Sequence, residues 1–138
     1  MKTLICALLL LPIYVSAQLN SEQLYKQVSD SVVFISDFDS QGSGVVLTAD
    51  GYILTNYHVV ASGLPFSVKA TVSSAGRKSK QTFSDLRVEK IHKSYDLALI
   101  KLDLKGKKLI PVRRLKDDDK VAPSSECYAI GNPDGLVS

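Results

Sequence analysis

Residues 42–60 read GSGVVLTADGYILTNYHVV, and this stretch decides the fold. Two short apolar runs within it, Ser43–Leu47 and Tyr52–Thr55, flank an Asp-Gly pair at positions 50 and 51. An Asp-Gly pair readily takes the positive φ angles of a tight β-turn, so the two runs are predicted to form an antiparallel hairpin. The hairpin leads directly to a histidine, His58.

Short apolar segments separated by turn-forming residues continue along most of the chain, which is typical of an all-β fold. Polar stretches at Ser73–Lys80 and Asp117–Ser125 are predicted to be turns or loops. Closing the sheet into a barrel would remove its exposed edges, so an antiparallel β-barrel is the expected architecture. The other predicted strands are Val32–Ser36, Ser67–Val72, Leu86–Ile91, Leu97–Leu102 and Glu126–Ile130.

Two further local patterns add detail to this sheet. Asn20 is expected to cap a short helix over Ser21–Val28, with Gln23 in the reciprocal capping position. The apolar run at 97–100 is predicted to be covered on both faces, because it shows no alternation with polar residues.

The first 17 residues have the pattern of a secretory signal peptide. Lys2 gives a basic start, Leu4–Val15 is an apolar run, and small residues at positions 15 and 17 suit the cleavage site. About 12 apolar residues are too few to span a bilayer, and Pro12 would break a longer helix. We therefore expect export, either to the periplasm or out of the cell, with no stable membrane anchor.

The length of the chain indicates a single domain, and its net charge does not indicate a particular binding partner. The 138 residues are enough for one domain with an apolar core. The net charge is +3 at pH 7, and removing residues 1–17 removes only Lys2 and leaves +2. The basic clusters at 105–108 and 113–114 have no interleaved aromatic side chains, so no nucleic-acid partner is expected.

Cysteine and histidine are too sparse for a disulfide framework or a metal site. After removal of residues 1–17 only Cys127 remains, so no internal bridge can form, and this thiol is expected to be a small buried strand residue. The two histidines, His58 and His92, are 34 positions apart and lack metal-ligand spacing. No metal or other cofactor is expected.

Two segments contain polar residues that are not explained by strand formation alone. Residues 42–60 end a hairpin in His58, and Tyr95–Leu102 places Asp96 at the mouth of an apolar strand. A serine hydroxyl needs an imidazole to take its proton, and the imidazole needs a carboxylate to fix its tautomer. His58 and Asp96 are of the two residue types that such chemistry needs, so a catalytic role is one interpretation of them. The alternative is that His58 is a turn residue and Asp96 caps a strand end.

Together these segments resemble the trypsin-like serine proteases, and more closely their HtrA type. That type has a hairpin leading to Thr-Asn-x-His-Val-Val, an Asp-Leu-Ala strand and a later Ile-Gly-Asn-Pro-x-Gly-Leu sequence, which are found here at 55–60, 96–98 and 130–136. The resemblance covers roughly Ser31 to Leu136.

The resemblance implies an antiparallel trypsin-like β-barrel, the N-terminal half of a two-barrel protease fold. Residues 18–125 would form this barrel after the signal peptide at 1–17, and residues 126–138 would start a second barrel that is absent from the sequence. It also implies peptide-bond hydrolysis by a His-Asp-Ser mechanism, with His58 as general base and Asp96 as its orienting partner. Polypeptides would be the substrates once a second barrel completes the site.

The sequence departs from the family at the nucleophile. The Gly-Asn/Asp-Ser-Gly-Gly loop of the family is absent from the 138 residues, and Ser43 in Gly42-Ser43-Gly44 matches an early structural strand instead. These residues alone are therefore expected not to hydrolyse peptides by a serine mechanism. The alternative function is a non-catalytic exported β-barrel that uses the protease scaffold as a binding module.

Export is expected to remove residues 1–17 and to leave Gln18 as the new amino terminus, because Val15 and Ala17 satisfy the small-residue preference of the processing site. Mass spectrometry of the exported protein measures this directly. Exported protein that retains Met1 would contradict the signal-peptide prediction.

Overall fold

A computed structural model describes residues 20–116 and 120–131. The predicted signal peptide at 1–17 and most of the motif at 130–136 lie outside the described residues. Within the described residues, no helix is long and apolar enough to cross a membrane. The elements are helix α1 (Ser21–Val28), strands β1 (Val32–Ser36), β2 (Gln41–Val46) and β3 (Tyr52–Thr55), helix α2 (Tyr57–Val60), and strands β4 (Ser67–Ser74), β5 (Arg77–Phe83), β6 (Leu86–His92), β7 (Leu97–Leu102) and β8 (Lys108–Leu109).

The capping pattern at the start of α1 is present as predicted. The Gln23 amide N–H donates to the Asn20 side chain at 2.8 Å, and the Asn20 amide N–H donates to the Gln23 side chain at 3.2 Å. These two bonds satisfy donors that the first turn of a helix leaves without intrahelical partners. A 3₁₀ turn at Ser29–Ser31 then leads into β1.

The strands form one antiparallel sheet in the order β5-β4-β1-β2-β3-β7-β6, with β8 paired to β4. The hairpin predicted from residues 42–60 is confirmed: β2 pairs with β3, with Val46 opposite Ile53. Gly51 in its turn has φ 114°, a conformation that favours glycine. The all-β antiparallel prediction is therefore confirmed, and six of the predicted strands are present with small changes of boundary.

One apolar cluster lies on the inner face of the sheet. Side chains alternate between faces along a strand, so β1, β4 and β7 contribute every second residue to this core, whereas β5 and β6 contribute none of its buried members. Helix α2 adds two valines that lie over one end of the cluster. Its buried members are Val33, Ile35, Val46, Ile53, Val59, Val60, Val68, Ala70, Val72, Ala98, Ile100, Leu102, Leu104 and Leu109.

The turn or loop predicted at Ser73–Lys80 is confirmed only at its centre, because the flanking residues belong to the strands of the β4–β5 hairpin. Its turn lies at Ala75 and Gly76, which have φ 47° and 76°. Strand β5 is polar because it is an edge strand, and only Gln81 and Phe83 in it are half-buried. Charged side chains protect such an edge from pairing with other chains, so polarity here marks an edge and not a loop.

The predicted strand at Glu126–Ile130 is also wrong, since these residues form no regular secondary structure. Among the described residues no strand pairs with them. A strand depends on a neighbour for its ladder hydrogen bonds, and its side-chain pattern cannot replace that neighbour. Cys127 lies in this segment and is exposed, so the prediction that it is a buried strand residue fails with the strand.

Strand β7 is covered on one face only, which corrects the prediction for residues 97–100. Ala98 and Ile100 face the core and are buried, whereas Leu97 is 38% exposed and Leu99 is half-buried. Leu97 and Ile130 line the same groove. Among the described residues the expected cover on both faces is therefore incomplete, since Leu97 stays partly exposed.

Gly44 allows β2 to pack against the core, because a Cβ atom at this position would lie 2.8 Å from Ile53 Cγ2 and 3.0 Å from Val33 Cγ2. Gly44→Ala is expected to destabilise the protein by about 1–3 kcal/mol through overpacking. Thermal or urea denaturation measures the change. Gly76→Asn is the control, because Gly76 has open space around its Cα and asparagine tolerates positive φ. Equal stability of Gly44→Ala and wild type would contradict this packing.

Candidate active site

His58 is held at the rim of the sheet by the single-turn helix α2, which follows β3 directly. Val59 and Val60 anchor this helix in the core, while His58 faces outward. The anchoring depends on Gly42, since a Cβ atom there would lie 2.6 Å from Val59 Cγ2. A glycine next to the helix thus fixes how closely α2 approaches β2.

Asp96 reaches the same rim because β3 and β7 are antiparallel neighbours. Thr55 at the end of β3 pairs with Ala98 near the start of β7, so the residues after Thr55 lie beside those before Ala98. A 3₁₀ turn at Lys93–Tyr95 precedes Asp96, whose N–H donates to the Lys93 carbonyl at 3.1 Å. Asp96 itself is in the left-handed conformation, with φ 51° and ψ 48°.

The two candidate residues are in direct contact. The distance from His58 Nδ1 to Asp96 Oδ2 is 2.6 Å, and the His58 backbone N–H donates to Asp96 Oδ1 at 2.9 Å. The Tyr57 N–H donates to the Asp96 carbonyl oxygen at 3.1 Å. The prediction that these side chains meet, although 38 positions apart, is therefore confirmed.

This contact determines what the imidazole can do. In neutral His58, a proton on Nδ1 is donated to the carboxylate, and Nε2 is then the nitrogen with a lone pair. Such an imidazole can accept a proton at Nε2 from a neighbouring hydroxyl. The positive charge that forms on the ring would be stabilised by the adjacent carboxylate.

Hydrogen bonds keep Asp96 ionised. The His58 backbone N–H contributes most to holding the pKa of Asp96 below its ordinary value, and the His58 side chain contributes next. Partial burial acts in the opposite direction, and the Asn56 side chain adds a smaller lowering. The His58 side chain is 71% exposed and that of Asp96 43% exposed, so the pair is open to solvent in this structure.

Asp37 connects the β1–β2 turn to the loop after α2. Its carboxylate accepts the Ser62 hydroxyl at 2.6 Å and the backbone N–H groups of Ser40 and Asp39 at 2.6 and 2.8 Å. These hydrogen bonds lower the pKa of Asp37 to about 2, and the bond from Ser62 contributes most. The carboxylate thereby connects the β1–β2 turn to the loop that follows the His58 helix.

The other residues considered from the sequence have no part in this contact. His92 stacks on Tyr95 with ring centroids 4.5 Å apart. The Ser43 carbonyl accepts the Thr55 hydroxyl at 2.8 Å within the β2–β3 ladder, which fits a structural strand residue. Among the residues with described positions, no group of three or more His, Cys, Asp or Glu side chains could hold a metal ion.

Sequence reasoning did not assign a role to Asn56, which contacts Asp96. Its Nδ2 donates to the Asp96 carbonyl oxygen at 3.1 Å and to Oδ2 at 3.2 Å. The available signal was an asparagine immediately before a short helix, and that position indicates an N-cap instead.

Comparison with known proteins finds relatives that share one kind of domain. Residues 42–138 match the family model for a trypsin-like peptidase domain. A protein of Rhizobium meliloti described as "Probable periplasmic serine endoprotease DegP-like" is 37% identical over 99 residues, which are 70% of this chain and 17% of that protein. The chloroplastic Protease Do-like 8 of Arabidopsis thaliana is 31% identical over 103 residues, which are 71% of this chain and 23% of that protein.

Among solved structures, the crystal structure of Deg5 superposes with a TM-score of 0.59 at 29% identity. The match covers 75% of this chain and 54% of that one. The antiparallel sheet with its short helix is thus the trypsin-like barrel fold of these proteins. The chain spans about a fifth of the length of the two curated relatives it matches.

Asp37→Asn is expected to lower stability at pH 7, because an amide cannot accept the three hydrogen bonds as strongly as a carboxylate. The pKa of Asp37 in the folded state, about 2, lies below the ordinary value of 3.8. Its stabilising contribution is therefore complete above about pH 4 and is lost as the pH falls towards 2. Urea denaturation at pH 7 and at pH 3 measures this.

The control for this test is Asp39→Asn in the same turn, where only the backbone N–H of residue 39 contacts Asp37. In Asp37→Asn the difference in unfolding free energy between pH 7 and pH 3 is expected to shrink relative to wild type. The same pH dependence in Asp37→Asn and wild type would show that this carboxylate does not fix the loops.

Proposed function

The chain belongs to the trypsin-like peptidase family and is of the HtrA type, and on that premise we propose that it supplies the base of a serine endopeptidase. His58 is the general base and Asp96 is its orienting partner. The single observation that carries this proposal is the 2.6 Å contact between His58 Nδ1 and Asp96 Oδ2.

In the proposed reaction, His58 Nε2 accepts the proton of a serine hydroxyl while the serine oxygen attacks the carbonyl carbon of a peptide bond. The tetrahedral intermediate collapses when the imidazolium returns this proton to the leaving amine, which leaves an acyl-enzyme. Water then attacks the acyl carbon with His58 again as base, and the ester bond to serine breaks as the imidazolium returns the proton to the serine oxygen, which releases the carboxylic acid product. Asp96 stays ionised throughout and stabilises the imidazolium.

We further propose that a second barrel carries the serine, the oxyanion donors and the substrate pocket. Support comes from an apolar groove that begins at Asn56 and runs along the outer face of the sheet, lined by Val45, Leu54, Leu97 and Ile130 among others. Leu97 directly follows Asp96, so a layer covering this groove would also reach the His58–Asp96 pair. Covering it would remove apolar side chains from water.

The proposed substrates are polypeptides, and the proposed location is an exported compartment. The location rests on the signal-like pattern of residues 1–17 and on the Rhizobium meliloti relative, which is described as periplasmic. A non-catalytic binding module is less well supported. Binding by a scaffold would not require a carboxylate and an imidazole nitrogen to be held at 2.6 Å.

The test is a fusion of this chain, joined after Ile130, to the Ser-bearing barrel of the Rhizobium meliloti relative. The fusion is expected to cleave casein and to be labelled by a serine-directed fluorophosphonate, because the two halves complete one site. His58→Ala and Asp96→Asn are expected to lower the labelling rate by about 10³-fold or more.

His92→Ala is the matched control, because it removes the other histidine, which stacks on Tyr95 and does not contact Asp96 in the structure. It is expected to label at the wild-type rate. The unfused 138-residue chain is expected to take up no specific label. A folded fusion whose labelling rate is the same with and without His58 would contradict the proposed function.

A further inference from the structure

Asn56 occupies a helix N-cap position without capping the helix. It precedes α2 with extended backbone angles, φ −79° and ψ 146°, yet its side chain makes no capping hydrogen bond to α2. Asparagine at this position usually accepts the N–H of the second or third helical residue. Asn20 does so in the same protein, accepting the Gln23 N–H at 2.8 Å. The side chain of Asn56 is therefore used elsewhere.

The side chain of Asn56 contacts Asp96, 40 positions later. A single nitrogen, Nδ2, donates to the backbone carbonyl of Asp96 at 3.1 Å and to its carboxylate Oδ2 at 3.2 Å. Oδ2 is also the oxygen that contacts His58 Nδ1. Asn56 thus bridges the main chain and the side chain of the one residue that orients the imidazole.

This bridge acts on a residue that needs support. Left-handed backbone angles cost a residue other than glycine about 1–2 kcal/mol, and the conformation is kept only where surrounding contacts require it. A carboxylate that is 43% exposed could also rotate towards water. Because Nδ2 holds the carbonyl and Oδ2 together, rotation about the side-chain bonds of Asp96 would break one of its two bonds.

We propose that Asn56 is a positioning residue, whose amide fixes the side-chain rotamer of Asp96 so that Oδ2 faces His58 Nδ1. A role of Asn56 in catalysis rests on the proposed function, since Asn56 acts only through Asp96 and His58. The hydrogen bonds themselves can be tested in the chain as it stands, without a serine or a substrate.

Two elements with ionisable side chains contact Asp96 through their backbones. His58 and Tyr57 belong to α2, and Lys93 and Tyr95 belong to the preceding 3₁₀ turn. Lys93 Nζ lies 5.5 Å from the centroid of the Tyr57 ring. Against this background the Asn56 amide donates to the ionised form of Asp96 and helps to keep its pKa low.

The test is Asn56→Asp in the full 138-residue chain. This substitution conserves shape and N-cap competence, but it puts a carboxylate oxygen where Nδ2 donates. Two carboxylates at this separation disfavour joint ionisation, so the pair is expected to titrate with one apparent pKa about one unit or more above that of Asp96 in wild type. Carbon-13 NMR of the labelled Asp96 carboxyl group measures the titration.

Asn20→Asp is the matched control, because it makes the same chemical change at the other N-cap asparagine. It is expected to leave the Asp96 titration unchanged. A residue at 56 that only packs or caps would tolerate aspartate without any effect on Asp96. An Asp96 titration that is the same in Asn56→Asp and in wild type would overturn the proposal.

Asn56→Ala gives a second reading should the aspartate variant fail to fold. Its expected result is a smaller rise in the pKa of Asp96, together with Hα–Hβ coupling constants of Asp96 that change from those of one rotamer to an average. Wild-type couplings and titration in Asn56→Ala would equally overturn the proposal. Failure of the fused protease with these NMR results intact would contradict the proposed function and leave the role of Asn56 in place.

Discussion

The site depends on the antiparallel pairing of β3 with β7. Because Thr55 lies opposite Ala98, the chain leaving β3 and the chain entering β7 meet at one rim of the sheet. Any residue a few positions after Thr55 is therefore beside any residue just before Ala98. His58 and Asp96 occupy these positions, so their contact follows from strand register before any side-chain interaction is considered.

The position of His58 also depends on how closely α2 approaches β2, and an apolar side chain lies exposed beside the pair. Helix α2 can lie against β2 only because Gly42 has no side chain, and Val59 fills the space next to it. The outer face next to the pair stays apolar, with Leu97 exposed beside the ionised Asp96.

The sequence predicts the structure correctly where residues close together in the chain determine it. An Asp-Gly pair between two short apolar runs predicts the β2–β3 hairpin, and Asn20 with Gln23 predicts the start of α1. The pairing of His58 with Asp96 was expected from the family resemblance, since 38 positions separate them and no local pattern links them.

The patterns failed where a distant neighbour decides the structure. Strand β5 is polar because it is an edge, and residues 126–130 are apolar apart from Glu126 but have no strand beside them in the described chain. The partial exposure of Leu97 depends on which elements pack on that face, and an apolar run alone does not predict this. The role of Asn56 was missed for the same reason: its position predicts a cap, whereas its partner is 40 residues away.

The His58–Asp96 pair is assembled within this barrel, without a substrate or a serine. The most direct measurement of this pair is the proton NMR spectrum of the His58 ring in the 138-residue chain. We expect a far-downfield Nδ1 proton that is lost in Asp96→Asn and kept in His92→Ala. Absence of this proton in the folded wild-type chain, or its persistence in Asp96→Asn, would show that the barrel alone does not assemble the pair.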